Sequence, residues 1–285
     1  MIIAYGDTRF TNPDQTEATN PKVRQWLVDR IATERPDAVL MTGDLPWHGA
    51  NLKDYQVFEK ETKSWREEHL RVYPALGNHE LYSHGLIENT AEGLANWWAA
   101  FPILQGLRWY SVQLGSKIYA LNLDTNSSLH PESEQMTWVK DQIASLPSSV
   151  RFLFVNMHRP PVADYQRFGD PTHNPRGNEI ELGHYLEQVA ADRPALRIVV
   201  IAGHIHNYER FLIDNVTFLV SGGGGAAPRA IHRGRMDLFQ EKTFPNYNYV
   251  KFVVNGDELN ASMYRVSDLE GDKPEFDMRD SFVVK

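Results

Sequence analysis

The sequence predicts a layered α/β sandwich, two sheets carrying helices on their outer faces, from three observations. Short apolar runs alternate with helix-period stretches through the first half of the chain. The second half turns to strand pairs, among them "YVKFVVNGDELNASMYRV", a hairpin across Asn255-Gly256. Two long Pro-, Gly- and Arg-rich segments, 159–183 and 224–246, follow motif-bearing strands; loops that long in a compact domain tend to be functional or mobile.

Taken in order, "IIAYG" reads as a buried strand. Asn20-Pro21 starts a helix with Pro at its first position, and Val23, Trp26, Leu27, Arg30 and Ile31 follow as one mostly apolar stripe. "DAVLMTGD" is the next strand, and 52–70 is a charged amphipathic helix with Tyr55, Phe58 and Trp65 to pack. "RVYPALGNHE" is a third strand running into a loop. Residues 86–101 are helical around Leu94, Trp97 and Trp98, a stripe that reads as core. "RWYSVQLGSKIYALNLDT" is a hairpin around Gly115-Ser116, and 131–145 is helical. "RFLFVNMH" and "LRIVVIAGH" are strands, with a helix near 178–192 between them. The chain reads as one domain over 1–285, its strand-rich part from about 215 to 285 completing the second sheet.

Bulk properties narrow the function. The chain has 285 residues, 42% hydrophobic and 23% charged, enough for a substantial core. Its net charge is −8 with no Lys/Arg block, which argues against nucleic acid or an anionic membrane as the main partner. A small phosphorylated substrate stays open, because a bound cation supplies positive charge locally. There is no cysteine, so thiolate metal sites, disulfides and a Cys nucleophile are excluded. No stretch approaches the roughly 18 apolar residues of a membrane helix. A strand-like run begins almost at residue 1, which fits a cytoplasmic protein or a periplasmic or secreted one whose export signal has been removed. Oligomeric state is not legible.

Five loops carry the chemistry, each after an apolar strand: Asp7, Asp44, Asn78-His79, His158 and the His204/His206 pair. Ligands of open α/β sheets bind at the carboxyl ends of strands, so these residues should converge on one crevice. Asp, Asn and His suit Zn, Fe or Mn, and a carboxylate can bridge two such ions. One Gly-Asp after a strand is ordinarily a turn, and one His-x-His pair proves little. "GNHE" is harder to dismiss, and five such loops in this order are not a chance pattern.

The series GD…GDxxW…GNHE…VxxH…GHxHxYER resembles the calcineurin-like metallophosphoesterase superfamily, over about residues 2–225. "GHIHNYER" and "SGGGGA" are similar to its purple acid phosphatase-like branch. The resemblance implies a four-layer α/β sandwich of two mixed sheets flanked by helices. It also implies two divalent or mixed-valence metal ions (Fe, Mn or Zn). Asp7, Asp44 and His206 would hold the first ion, and Asp44 would bridge to a second held by Asn78, His158 and His204. A metal-bound hydroxide would attack the phosphate ester in line, and His79 would protonate the leaving alkoxide or orient the phosphate.

Two departures fall on the first metal site. Many relatives have a His two residues after the first Asp, where this chain has Arg9. Purple acid phosphatases use a Tyr three residues after the second Asp, where this chain has Trp47. Neither side chain offers a lone pair, so the first site keeps three protein ligands and should bind its ion more weakly. His48 is a candidate substitute ligand. Arg9 either pairs with a phosphate oxygen or makes a structural pair with a nearby carboxylate, and Arg159 faces the same choice. Tyr208 is the member of "NYER" expected to reach the cleft, while Asn207, Glu209 and Arg210 anchor the loop. His84 and His173 are candidates for a substrate rim; His69, His130, His184 and His232 read as surface or satisfied residues.

The expected function is a two-metal phosphoesterase, phosphomonoesters favoured. A phosphodiesterase of nucleotides or phospholipid head groups is the alternative. A non-catalytic metal- or phosphate-binding module with a degenerate first site is a third reading, motivated by Arg9 and Trp47.

Overall fold

The computed structural model describes residues 1–166 and 173–284, so the middle of the 159–183 segment lies outside the described residues. Twelve strands build two six-stranded sheets. In chain order, β1 is Ile2–Tyr5, β2 Ala38–Met41, β3 Val72–Pro74, β4 Tyr110–Gly115, β5 Ile118–Asn122 and β6 Phe152–Asn156. β7 is Arg197–Ala202, β8 Tyr208–Ile213, β9 Val216–Ser221, β10 Asn248–Asn255, β11 Glu258–Val266 and β12 Phe276–Val283. The first sheet runs β12-β11-β10-β1-β2-β3 and the second β8-β9-β7-β6-β5-β4. Parallel pairing joins β1 to β2 to β3, and β5 to β6 to β7 to β9; the other neighbours are antiparallel. Both sheets are therefore mixed.

Alternation along the strands explains the layers. In β1, Ile2 and Ala4 face the core between the sheets, while Ile3 and Tyr5 face the helices outside. In β6, Phe152 and Phe154 point into the same central core, and Leu153 and Val155 point out against α5 (Glu134–Ala144) and α6 (Gly177–Asp192). A strand buried on both faces must be apolar at every position, which is why "IIAY" and "AVLM" show no polar alternation. α1 (Pro21–Glu34) starts where expected: Asn20 Oδ1 accepts from the Val23 N–H at 3.1 Å, and Pro21 needs no donor. Four layers result, helix, sheet, sheet and helix.

Two boundaries differ from expectation. The 52–70 helix breaks at Thr62 into α2 (Leu52–Glu61) and α3 (Lys63–Glu67). Thr62 Oγ1 donates back to the Phe58 carbonyl at 2.6 Å, the kind of side-chain bond that competes with a continuous helix. α4 (Thr90–Ala100) begins after a turn at Gly85, where φ is 76°. The C-terminal strands also divide between the sheets. β9 joins the second sheet, whereas β10–β12 extend the first from the edge of β1, because Val250, Phe252, Ala261 and Met263 complete the central core. Among the described residues no helix is long and apolar enough to cross a membrane.

Buried polar ties join the two sheets, and the one at Asn156 lies beneath the strand ends. Asn156 of β6 donates to the Met41 carbonyl of β2 at 3.0 Å and to Asn122 Oδ1 of β5 at 2.8 Å, wholly buried. Replacing it (Asn156→Ala) leaves the Asn122 acceptor unpaired and should cost about 1–3 kcal/mol in urea unfolding. A loss below about 0.5 kcal/mol would show that the Asn156 tie does not help hold the sheets in register.

Candidate metal centre

The carboxyl ends of β1, β2, β6 and β7 meet at one place, and the chain bends sharply to present their side chains. Asp7, Arg9, Asp44 and His204 have φ of 59°, 47°, 54° and 69°. Each non-glycine residue in that region costs free energy, and such strain persists where surrounding contacts over-determine it. Backbone bonds supply those contacts: Asp7 N–H donates to Gly43 O and Arg9 N–H to Asp44 O, both at 3.0 Å. Gly43 cannot be larger, because a Cβ there would lie 2.7 Å from the Gly77 nitrogen and 2.9 Å from His158 Nδ1.

Glu80 ties the second and third loops together. Its buried carboxylate accepts from the N–H groups of Asp44 (3.0 Å), Leu45 (2.8 Å) and Gly77 (2.7 Å). Sequence reading passed over this residue; the signal was the E of "GNHE", a carboxylate directly after two ligand-type residues. Burial, with the Asp44 charge beside it, raises the Glu80 carboxyl above the usual range.

Two groups of acceptors form around Asp44. On one side, His158 Nε2 lies 3.1 Å from Asn78 Oδ1, 3.3 Å from Asp44 Oδ1 and 3.1 Å from His204 Nδ1. His158 Nδ1 donates to the Thr42 carbonyl at 2.9 Å, so Nε2 carries a lone pair. His204 Nε2 lies 2.7 Å from Arg159 Nη1 and accepts from it, which puts a proton on Nδ1. That proton faces His158 Nε2, on which Asn78 Oδ1 and Asp44 Oδ1 also converge.

On the other side, ligand atoms of Asp7, Asp44 and His206 lie within 4.8 Å of one another. His206 Nδ1 donates to the Ala227 carbonyl at 2.6 Å, leaving Nε2 aimed at Asp7 Oδ1, 3.5 Å away. Asp7 Oδ1, Asp44 Oδ2 and His206 Nε2 are all buried with no hydrogen-bond partner. The other oxygens are used: Asp7 Oδ2 accepts from His204 N–H and Asp44 Oδ1 from His79 N–H, both at 2.9 Å. Buried acceptors facing acceptors are costly unless a cation lies between them, and these donor sets fit two.

Protonation follows the same logic. Burial raises the Asp7 carboxyl to about 8, with Asp44 adding to the rise. Asp44 is buried too, but His158, His79 and Arg9 outweigh that and hold it below the usual range. Burial, reinforced by the Arg9 charge, lowers His206 and His79 to about 3, so both rings are neutral near pH 7.

The two departures at the first site form one structure. The Arg9 guanidinium lies over the Trp47 ring at 4.7 Å, and its Nη2 is 3.6 Å from Asp44 Oδ2. His79 stacks on the same indole at 4.7 Å and 20°, and its Nδ1 donates to the Trp47 carbonyl at 2.7 Å. His79 Nε2 then lies 3.8 Å from Asp44 Oδ2. Arg9 and Trp47 do not replace a missing ligand; together they place a cation and an imidazole beside the shared carboxylate.

Tyr208 is corrected: it is fully buried, its hydroxyl donates to Asp280 Oδ2 at 2.9 Å, and it packs edge-on against Phe239. The pleat of β8 turns it into the central core, away from the site. His48 is not a substitute ligand either, since its Nδ1 faces Asp54 Oδ2 at 3.6 Å and its ring neighbours His84. Those two histidines line a separate surface cavity of about 490 Å³ that reaches Trp47. His173 stacks on the His204 ring at 4.6 Å, at the rim of the second group. Arg229 went unnoticed in the sequence; its N–H donates to the His206 carbonyl at 3.0 Å and its Nε is buried without a partner.

A sequence model described as calcineurin-like phosphoesterase matches residues 2–208. No curated protein matches the chain. Among solved structures, purple acid phosphatase PPD1 from yellow lupin (Lupinus luteus) seeds is similar at TM-score 0.73 and 18% identity. That alignment covers 99% of this chain and 53% of the lupin chain, so this chain spans about half of that protein's length. A dimetal phosphatase from Danio rerio aligns at TM-score 0.58 and 13% identity, over 98% of each chain. GAP50, described as the anchor in the inner membrane complex of Plasmodium, aligns at TM-score 0.61 and 14% identity, over 98% of this chain and 88% of that one. At these identities the likeness concerns the fold.

Glu80 gives the sharpest test of how the centre is held. Glu80→Ala orphans all three N–H groups, at about 1–3 kcal/mol each, and should destabilise by several kcal/mol in urea. Glu80→Gln keeps an acceptor oxygen and should cost clearly less. Equal costs would show that the loops stand without these bonds.

Proposed function

This chain belongs to the calcineurin-like phosphoesterase family, and we propose that it is a metallophosphoesterase that hydrolyses phosphomonoesters at a two-metal centre built around Asp44. The observation that carries this reading is the pair of unsatisfied acceptor groups sharing that carboxylate, flanked by guanidinium groups. Asp7, Asp44 and His206 would hold one ion, and Asp44, Asn78, His158 and His204 the other. When bound, two such ions neutralise phosphate charge and lower the pKa of coordinated water.

The remaining work falls to side chains of the protein. Arg9, held over the Trp47 ring and close to Asp44, is placed to pair with a phosphate oxygen. Arg159 now donates to His204 Nε2. If His204 Nδ1 serves as a ligand, the ring proton moves to Nε2, which can no longer accept. The Arg159 guanidinium would then stand as a second cation beside the same phosphate. Two cations beside one phosphate favour a dianionic monoester over a diester, which carries a single charge.

His79 is neutral as packed, with Nδ1–H committed to Trp47. Its Nε2 can receive a proton, and a bound phosphate dianion would favour the charged ring. Charged, it can deliver that proton to the departing alkoxide. His79→Asn should therefore lower kcat by about 10²–10⁴-fold, the usual contribution of one proton-transfer group, with KM much less affected. An equal rise in KM with kcat unchanged would make His79 a binding residue instead.

Arg9→Lys keeps the charge and removes the flat, bidentate fork. We expect a higher KM or lower kcat at constant metal content; unchanged kinetics would leave Arg9 a structural partner of Asp44 and Trp47. The class of ester is tested with p-nitrophenyl phosphate and its bis ester after chelation and reloading with Mn, Zn or Fe. Faster monoester turnover supports the proposal, and faster diester turnover would make the enzyme a phosphodiesterase. No turnover of either ester by fully loaded protein would favour a non-catalytic binding module, the reading that Arg9 beside Asp44 keeps open.

A further inference from the structure

Away from Asp44, a second cluster of carboxylates has no part in the chemistry above. Asp164, Glu209 and Asp237 have ligand oxygens within 4.8 Å of one another. They come from three separate parts of the chain: the loop after His158, the start of β8, and the 224–246 segment. Most of their oxygens are engaged. Glu209 Oε2 accepts from the Asp164 N–H at 2.6 Å, and Asp164 Oδ2 from the Gly234 N–H at 2.8 Å. Asp237 Oδ1 accepts from the N–H groups of Arg210 (3.1 Å) and Phe239 (2.9 Å), and Oδ2 from the Arg233 guanidinium.

Glu209 Oε1 is the buried oxygen left without a partner. The residue is fully buried, and this oxygen has no hydrogen-bond partner. A buried carboxylate oxygen with nothing to accept from is expensive. Three carboxylates and the one guanidinium of Arg233 leave two negative charges uncompensated, the charge of one divalent cation.

We infer that Asp164, Glu209 and Asp237 form a separate site for a hard divalent cation, calcium in particular. An all-oxygen carboxylate set suits calcium or magnesium rather than zinc or iron. Calcium is favoured because it tolerates irregular oxygen geometry, whereas magnesium demands a near-ideal octahedron. The site would clamp three segments that reach the Asp44 centre. Asp164 lies five residues after Arg159, Glu209 three residues after His206, and Asp237 on the segment that carries Arg229. Occupancy would fix the loops that present Arg159 and Arg229. The competing explanation is that protons take the cation's place: burial pushes the Glu209 carboxyl well up, and raises Asp164 and Asp237 as well.

Equilibrium dialysis against calcium, after chelation of the whole protein, separates the two. Wild type, Glu209→Gln, Asp164→Asn and Asp7→Asn are compared, with melting curves as a check on folding. The inference predicts a calcium site filled by about 1 mM, the weak end of natural calcium sites. It should weaken about tenfold or more in Glu209→Gln and Asp164→Asn and persist in Asp7→Asn. Asp164 is half-buried, so Asp164→Asn remains informative if Glu209→Gln fails to fold. No binding by wild type would overturn the inference in favour of protonated carboxyls. Binding lost in Asp7→Asn but kept in Asp164→Asn would assign the ion to the Asp44 centre and also overturn it. Neither outcome depends on which ester the enzyme cleaves.

Discussion

Asp44 presents its two carboxylate oxygens to two different sets of buried acceptors, and much of the surrounding architecture serves to hold it there. One oxygen faces His158, Asn78 and His204; the other faces the Asp7 and His206 group. Lone pairs do not gather in a protein interior unless a cation compensates them. The rest of the local design reads as support for that gathering. Left-handed backbone at four loop residues turns the side chains inward, and Glu80 fastens two of the loops through their N–H groups. Backbone carbonyls of Thr42 and Ala227 fix which nitrogen of His158 and His206 carries the proton.

Arg9 and Trp47 make sense only against that centre. Each alone looks like the loss of a ligand. Together they form a stacked group with His79 that flanks the Asp44 oxygen toward the first site. A guanidinium near that oxygen competes electrostatically with a metal ion and attracts a phosphate. On the proposed reading, the chain would trade part of its metal affinity at the first site for a fixed cation that substrate anions can meet.

Much of this was legible in the sequence. Asp7, Asp44, Asn78, His158, His204 and His206 were named from loops after apolar runs, and the structure brings them together because parallel strands end on one side. Layering was legible too, since "IIAY", "AVLM" and "FLFV" are apolar at successive positions, as strands covered on both faces must be. Sequence could not say that β10–β12 would join β1, because strand pairing across more than 200 residues leaves no local trace. Tyr208 misled for a related reason: one residue of register on β8 decides between cleft and core. Glu80 and Arg229 were missed because their roles lie in contacts with backbone and neighbouring loops. His48 was ruled out only by the direction of its ring.

The central claim is that two cations share Asp44. Crystals of protein purified with its native metals, measured on either side of the Fe, Mn and Zn absorption edges, address it directly. The account predicts two anomalous peaks. One lies within ligand distance of Asn78 Oδ1, His158 Nε2 and His204 Nδ1, the other of Asp7 and His206 Nε2, with Asp44 touching both. A single peak with the Arg9 guanidinium occupying the first site would contradict the shared carboxylate and leave Asp44 the ligand of one ion.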